Sequence, residues 1–269
     1  MTRLSSPVMP SPPQPAVLIV HGAYFLPPTY QPFIRSLQSA GFVVRCPRLP
    51  TCGDTRPPTA GLVEDVAAVR AAAAELKAAG HPIIVLSHSY GGVVATESIS
   101  PDLYAAEPRD AGTGGVVRLV YLCAHVPQPG SSVADLFAKH GFLCKVKLQI
   151  NDDGTALPTN APESFYNDLD AETAVRYTAE NVTHNIGLIG ETKVTRAPWK
   201  DVESMYVYCE RDLAIMKPLQ EAMVTDVQEA QGSKGMNTVT LDASHSPFLS
   251  VPAKVVGVVQ KIWSDARRT

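Results

Sequence analysis

Short runs of aliphatic and β-branched residues recur along the chain, at 16–20, 42–46, 82–86, 116–123, 204–209 and 237–241. Their apolar character is nearly continuous, as in Val117-Arg118-Leu119-Val120-Tyr121-Leu122-Cys123, which suits strands covered on both faces rather than strands with one wet side. Between them apolar residues return every three or four positions. Leu62, Val66, Val69, Ala73 and Leu76 do so over 59–79, ahead of Gly80, and Val255, Val258, Val259 and Trp263 do so in the last segment. Strands alternating with such helices predict an α/β fold, with about six mostly parallel strands flanked by helices.

The alternation breaks once. The 80 residues 124–203 separate the fourth predicted strand from the fifth, far beyond the few residues of an ordinary connection. Within them, 145–157 alternates around Asp153-Gly154 as a β-hairpin would, and 161–189 reads as largely helical, with Asp170 or Asn167 available as caps. An insertion of this size beyond a strand end predicts a lid over a site. The expected organisation is a mobile Pro-rich leader over 1–15, a core over 16–127 and 201–269, and a lid over 128–200.

Composition narrows the class. The 269 residues are 45% hydrophobic and 18% charged, with a formal net charge of −3, so there is no basic surplus to neutralise a nucleic-acid backbone. No apolar run approaches the roughly 20 residues of a membrane span, and the N-terminus lacks a signal-like apolar region, so a cytoplasmic protein is expected. The five cysteines, Cys46, Cys52, Cys123, Cys144 and Cys209, have no zinc-site spacing, and neither metal nor cofactor is expected.

The candidate chemistry lies at Ser87-His88-Ser89-Tyr90-Gly91, directly after the third predicted strand and before a helical stretch. A small-x-Ser-x-Gly pentad makes a sharp strand-to-helix turn that projects the serine, with only small neighbours tolerated around it. Ser89 takes the nucleophile position, Ser87 the small one, and His88 packs, because its side chain diverges from its neighbour's on a turn. Serine needs a histidine base oriented by an acid, in the chain order Ser, acid, His. His245, in the loop after the last strand, is the base. Asp212, beyond the fifth strand, is the preferred acid over Glu210, nearer the strand, and over Asp242, too close to the histidine. An oxyanion would be held by the backbone N–H groups of Tyr90 and of Ala23, where Gly22 lets the chain turn inward and His21 braces the loop. Tyr24, Phe25, Tyr90 and Phe248, with Phe165 and Tyr166 from the insertion, are placed near the mouth as pocket or as packing residues.

These blocks, His21-Gly22-Ala23, His88-Ser89-Tyr90-Gly91-Gly92, Leu119 to Leu122, the stretch from Tyr206 to Gln220 and Ser244-His245-Ser246-Pro247, resemble the α/β-hydrolase superfamily. The resemblance is to its small-lid branch of methyl-ester esterases and hydroxynitrile lyases, over about 16–263. It implies a Ser89, His245, Asp212 triad and a carboxylic ester or lactone hydrolase acting on a small, apolar or aromatic substrate. Lyases of the branch carry a threonine and a lysine where this chain has Gly22 and Ser246, which favours hydrolysis. A lyase or C–C bond hydrolase on the same triad, and a non-enzymatic ligand receptor on the same scaffold, stay as alternatives. His125, where similar proteins tend to be apolar, either lines the pocket or packs. The expected partner is a small-molecule substrate, with neither nucleic acid nor membrane, and a homodimer is left open.

Overall fold

The computed structural model describes residues 14–53, 55–106, 114–187, 192–231 and 236–268. The leader expected over 1–15 lies almost wholly outside them. Six strands form one sheet in the order β2-β1-β3-β4-β8-β9: β1 Ala16–Val20, β2 Val43–Arg45, β3 Pro82–His88, β4 Gly115–Leu122, β8 Ser204–Cys209 and β9 Asn237–Leu241. Every neighbouring pair is parallel. β1, β3 and β4 are buried at every position, as their unbroken apolar runs require. Helices α1 (Gln31–Ser39) and α7 (Pro252–Ala266) pack together, while α2 (Leu62–Ala78) packs on α3 (Gly91–Ser98).

The chain passes from β1 to β2 on one side and returns to β3 on the other. Loops leaving the C-terminal ends of β1 and β3 therefore diverge there, which opens the crevice where parallel sheets take ligands.

The insertion between β4 and β8 carries its own antiparallel sheet: β5 (Leu148–Ile150), β6 (Thr155–Pro158) and β7 (His184–Asn185). The hairpin read around Asp153-Gly154 is present, with Leu148 opposite Pro158 and Gly154 at φ +81°. The stretch 161–189 is less helical than expected. Two short helices, α5 (Ala161–Phe165) and α6 (Ala171–Ala179), are followed by β7, which pairs with β6, and 188–189 fall outside the described residues. Asp170 starts α6 by accepting the Thr173 N–H at 2.9 Å, whereas Asn167 donates to the Arg211 carbonyl instead of capping. A further helix, α4 (Val133–His140), was not expected, because its apolar spacing, Val133, Leu136 and Phe137, spans little more than one turn. Its signals are terminal: Ser132 and Asp135 exchange capping hydrogen bonds, and Gly141 ends it at φ +69°.

Candidate active site

The turn at Ser89 is set by what surrounds it. β3 runs through His88, Ser89 takes φ +55°, and α3 starts two residues later. The left-handed conformation costs an L-residue about 1–2 kcal/mol, so tertiary contacts must impose it. Gly91 presses on the first strand: a Cβ there would lie 2.1 Å from the Val20 carbonyl oxygen and 2.7 Å from that of His21. Gly92 presses on the other neighbour, where a Cβ would lie 2.1 Å from the His125 carbonyl oxygen. The Ser89 carbonyl accepts the N–H groups of Gly92 at 3.0 Å and His125 at 3.1 Å. Tyr24 (φ +69°), in the loop after β1, and Cys123 (φ +36°), directly after β4, share the left-handed backbone, so strain gathers beyond three adjacent strands. Ser87, in the small position, donates its hydroxyl to Val120 O on β4 at 3.1 Å.

His245 is 1% exposed, and its Nδ1 lies 2.7 Å from Asp212 Oδ2. The carboxylate is itself held. Its Oδ1 accepts the N–H groups of Ala214 and Ile215, both at 2.8 Å, and Gln220 Nε2 approaches Oδ2 at 3.4 Å. A carboxylate so bonded accepts the Nδ1 proton and leaves Nε2 as a base. Glu210 instead faces Lys217, and Asp242 pairs with Arg211.

His88 is the centre of a buried chain of hydrogen bonds. The Gly22 N–H can only donate, so Tyr30 Oη accepts it at 3.2 Å and gives its own proton to His88 Nδ1 at 2.7 Å. That leaves His88 Nε2 to donate to the His245 carbonyl at 2.8 Å. Burial holds His88 well below the usual histidine range, hence neutral, as this tautomer requires. His21 braces its loop in the same way, its Nε2 accepting the Leu49 N–H at 3.0 Å while Nδ1 lies 2.9 Å from Gly22 O. Among the described residues His88, Cys123 and His245 bring possible metal-ligand atoms within 4.8 Å of one another. Both His88 nitrogens and His245 Nδ1 are already bonded, and burial keeps Cys123 a thiol, so that set is committed to protein contacts.

Ser89 and His245 open into a cavity of about 390 Å³ lined by Ala23, Tyr24, Tyr90, His125, Ile215 and, from the insertion, Val133, Phe137, Val146, Leu148 and Phe165. Of the aromatic residues placed near the mouth, Tyr24, Tyr90 and Phe165 line it. Phe25, Tyr166 and Phe248 do not, because they form the packing behind it. Phe248 stacks on Tyr30 with centroids 4.1 Å apart, Phe25 lies edge-on to His88, and Tyr166 lies behind Phe165 with its hydroxyl near Asn181. Tyr90 has a second bond that sequence did not reveal, from its hydroxyl to the buried Asp65 at 3.0 Å. Asp65 also accepts the Thr51 N–H and hydroxyl, and burial raises its carboxyl. His125 is 9% exposed, and among the described residues neither ring nitrogen has a hydrogen bond of normal geometry, although the Ser89 backbone lies near the ring. Leaving a buried polar group unpaired costs about 1–3 kcal/mol.

The insertion also grips both loops that carry His245 and Asp212. Asp168 Oδ2 accepts the Ser244 N–H at 2.8 Å, Ser244 Oγ donates to the Phe165 carbonyl at 3.2 Å, and Asn167 donates to the Arg211 carbonyl at 3.0 Å. Phe165 lies against the His245 ring at 5.4 Å. Tyr30 and Asp168 carried no motif, and each acts on a partner distant in sequence. Gln220 closes the block that begins at Tyr206, but nothing in that block told that its side chain brackets Asp212 and the Cys209 backbone.

Comparison with known proteins agrees with this architecture. The chain is 31% identical over 253 residues to the probable hydrolase R7 of Phoma sp., covering 93% of this chain and 98% of that one. Among solved structures, tomato methylketone synthase I complexed with 2-tridecanone superposes with a TM-score of 0.73 at 14% identity, over 94% of this chain and 99% of that one. A pyrethroid hydrolase from Sphingobium faniae gives 0.69 at 20% identity, over 93% and 97%. The family model described as alpha/beta hydrolase matches residues 17–258, and with a parallel sheet that delivers a strained serine and an acid-bound histidine to one cavity, the chain belongs to the alpha/beta hydrolase family.

Proposed function

We propose that this protein is a serine hydrolase that cleaves a carboxylic ester or lactone of a small, apolar or aromatic substrate. The observation that carries the reading is Ser89 at φ +55° on the wall of the cavity that also receives His245, whose Nδ1 lies 2.7 Å from Asp212. Ser89 Oγ attacks the carbonyl carbon as His245 Nε2 takes its proton, and Asp212 stabilises the resulting imidazolium. The oxyanion is met by the N–H groups of Ala23 and Tyr90, each worth about 3 kcal/mol in the transition state. His245 then returns the proton to the leaving alcohol, and water releases the acyl group by the reverse sequence. The chain supplies nucleophile, base and donors, so the reaction runs without a cofactor.

The cavity lining supports the substrate class: apart from Ser89, His245 and His125 it is almost wholly apolar, which favours burying a hydrocarbon or aryl group. The insertion, which supplies Val133, Phe137, Val146 and Leu148 to that lining, serves as the lid. A fluorophosphonate probe tests the reading. The wild-type protein gains the mass of one adduct and Ser89→Ala gains none, while His245→Ala loses at least about a thousandfold in hydrolysis of an aryl butanoate. Equal labelling of Ser89→Ala would remove Ser89 as nucleophile.

A further inference from the structure

Two side chains in the cavity wall carry buried polar atoms that this chemistry leaves unused, the Tyr24 hydroxyl and the His125 imidazole, and His125 is the one whose backbone is bonded to the nucleophile's own carbonyl. The backbone of His125 is fixed beside the nucleophile, its N–H on the Ser89 carbonyl at 3.1 Å and its own carbonyl against Gly92. Its loop follows β4, so it stands on the opposite side of Ser89 from the loop of Ala23 and Tyr24, which follows β1. The imidazole lies tilted against Phe137, with ring centroids 6.1 Å apart. Both nitrogens are sealed from solvent and unpaired, so the surface His125 turns to the cavity is carbon.

The Ser89 backbone lies near the ring, but among the described residues no hydrogen bond of normal geometry holds the ring that way round. A half-turn about the Cβ–Cγ bond exchanges nitrogens and carbons in nearly the same outline, breaks no hydrogen bond and turns polar atoms toward the cavity. Burial pushes the imidazole down to about 3, so it stays neutral and offers one N–H donor and one lone pair. Unpaired buried polar groups are few in native proteins, and one on a substrate cavity has a ready explanation in a partner that arrives with the ligand.

We propose that His125 is a specificity residue, and that the substrate carries a second, uncharged oxygen function, a hydroxyl or keto group, a few bonds from the scissile carbonyl, which hydrogen-bonds the imidazole. The group is uncharged because a carboxylate would be buried among Val133, Phe137, Val146 and Leu148, with no lysine or arginine in the lining. The inference rests on the ester reading above in naming the carbonyl, but not in naming the group that binds it.

The test is binding to Ser89→Ala, in which turnover plays no part. Calorimetry compares phenyl butanoate with phenyl 3-hydroxybutanoate and with 2-hydroxyphenyl butanoate, which place the hydroxyl on the acyl and the alcohol side. One of the hydroxylated esters binds about tenfold tighter than the plain ester, the worth of one hydrogen bond to a buried neutral group. Adding His125→Phe brings the ratio to about one, while His125→Gln, which keeps a donor and an acceptor, retains part of it. The melting temperature of the phenylalanine variant stays level or rises, since an unpaired imidazole is removed, which separates a lost contact from a lost fold. Equal binding of all three esters, or an advantage that survives His125→Phe, overturns the proposal. Failure of wild-type Ser89 to take the fluorophosphonate would instead strike the hydrolase reading and leave this ratio to be judged by itself.

Discussion

Replacing Tyr30 by phenylalanine removes one oxygen from the most connected point beneath the site. The ring is fully buried, stacks on Phe248 and meets Phe25 edge-on, and phenylalanine keeps those contacts. What disappears is the hydroxyl that accepts from Gly22 N at 3.2 Å and donates to His88 Nδ1 at 2.7 Å. Two buried polar atoms then lose their partner, each at about 1–3 kcal/mol. The Gly22 contact is long, so the lower half of that range applies to it, and the total comes to about 2–5 kcal/mol. For a chain of 269 residues each kcal/mol moves the melting temperature by roughly 2 °C, so Tyr30→Phe should melt about 4–10 °C lower. Thermal denaturation followed by circular dichroism at neutral pH is the assay. The same change loosens the loop before Ala23 and, through His88, the carbonyl of His245. On an aryl ester kcat should therefore fall about tenfold, with KM changed less. An unchanged melting temperature would refute the reasoning, because it would mean that the hydroxyl is not what satisfies Gly22 and His88.

Two further predictions follow from other contacts. Asp168→Ala frees Ser244 N from the insertion, and kcat on an aryl butanoate should drop about 10–100-fold, in line with a small misplacement of the base; wild-type turnover in this variant would show that the grip on the His245 loop is incidental. Acid should destabilise the fold early. Burial lowers His21 to about 4 and both His125 and His184 to about 3, against 6.5 when unfolded, so below pH 6.5 the unfolded chain binds protons that the folded one refuses. The stability from keeping them neutral is complete above pH 6.5 and is lost as the pH falls toward 4. Each histidine adds a slope of up to about 1.4 kcal/mol per pH unit. Urea midpoints between pH 7 and pH 5 should decline, and a flat series would mean that these rings are protonated or hydrated in the folded state.

The sheet was legible because parallel strands buried on both faces write themselves as unbroken apolar runs. All six fell within two residues of their expected ends, and β3 ran on to His88 because the small Ser87 still pairs with β4. Ser89, His245 and Asp212 were legible through their order along the chain and their positions after strands. The insertion was harder. Its helices are short, and they begin and end at caps rather than on a long apolar stripe, so α4 was missed and 161–189 was read as more continuous than it is. Packing direction was harder still, since nothing local tells Phe165, on the cavity wall, from Tyr166, behind it. Tyr30 and Asp168 were invisible for a related reason. Tyr30 meets His88 across 58 positions and Asp168 meets Ser244 across 76, and no local pattern encodes contacts of that range.

The turn at Ser89 also bears on how the protein comes into being. Its backbone is pressed into shape from two sides, by the Val20 and His21 carbonyls and by the His125 carbonyl, so it needs three strands in register before it exists. On a growing chain the serine is synthesised before β4 and well before His245, and it stays an ordinary, unreactive hydroxyl through that interval. On the serine-hydrolase reading proposed above, reactivity is then a property of the finished chain rather than of the segment that carries it. The rate at which a refolding sample becomes able to take a serine-directed probe would time the last steps of assembly.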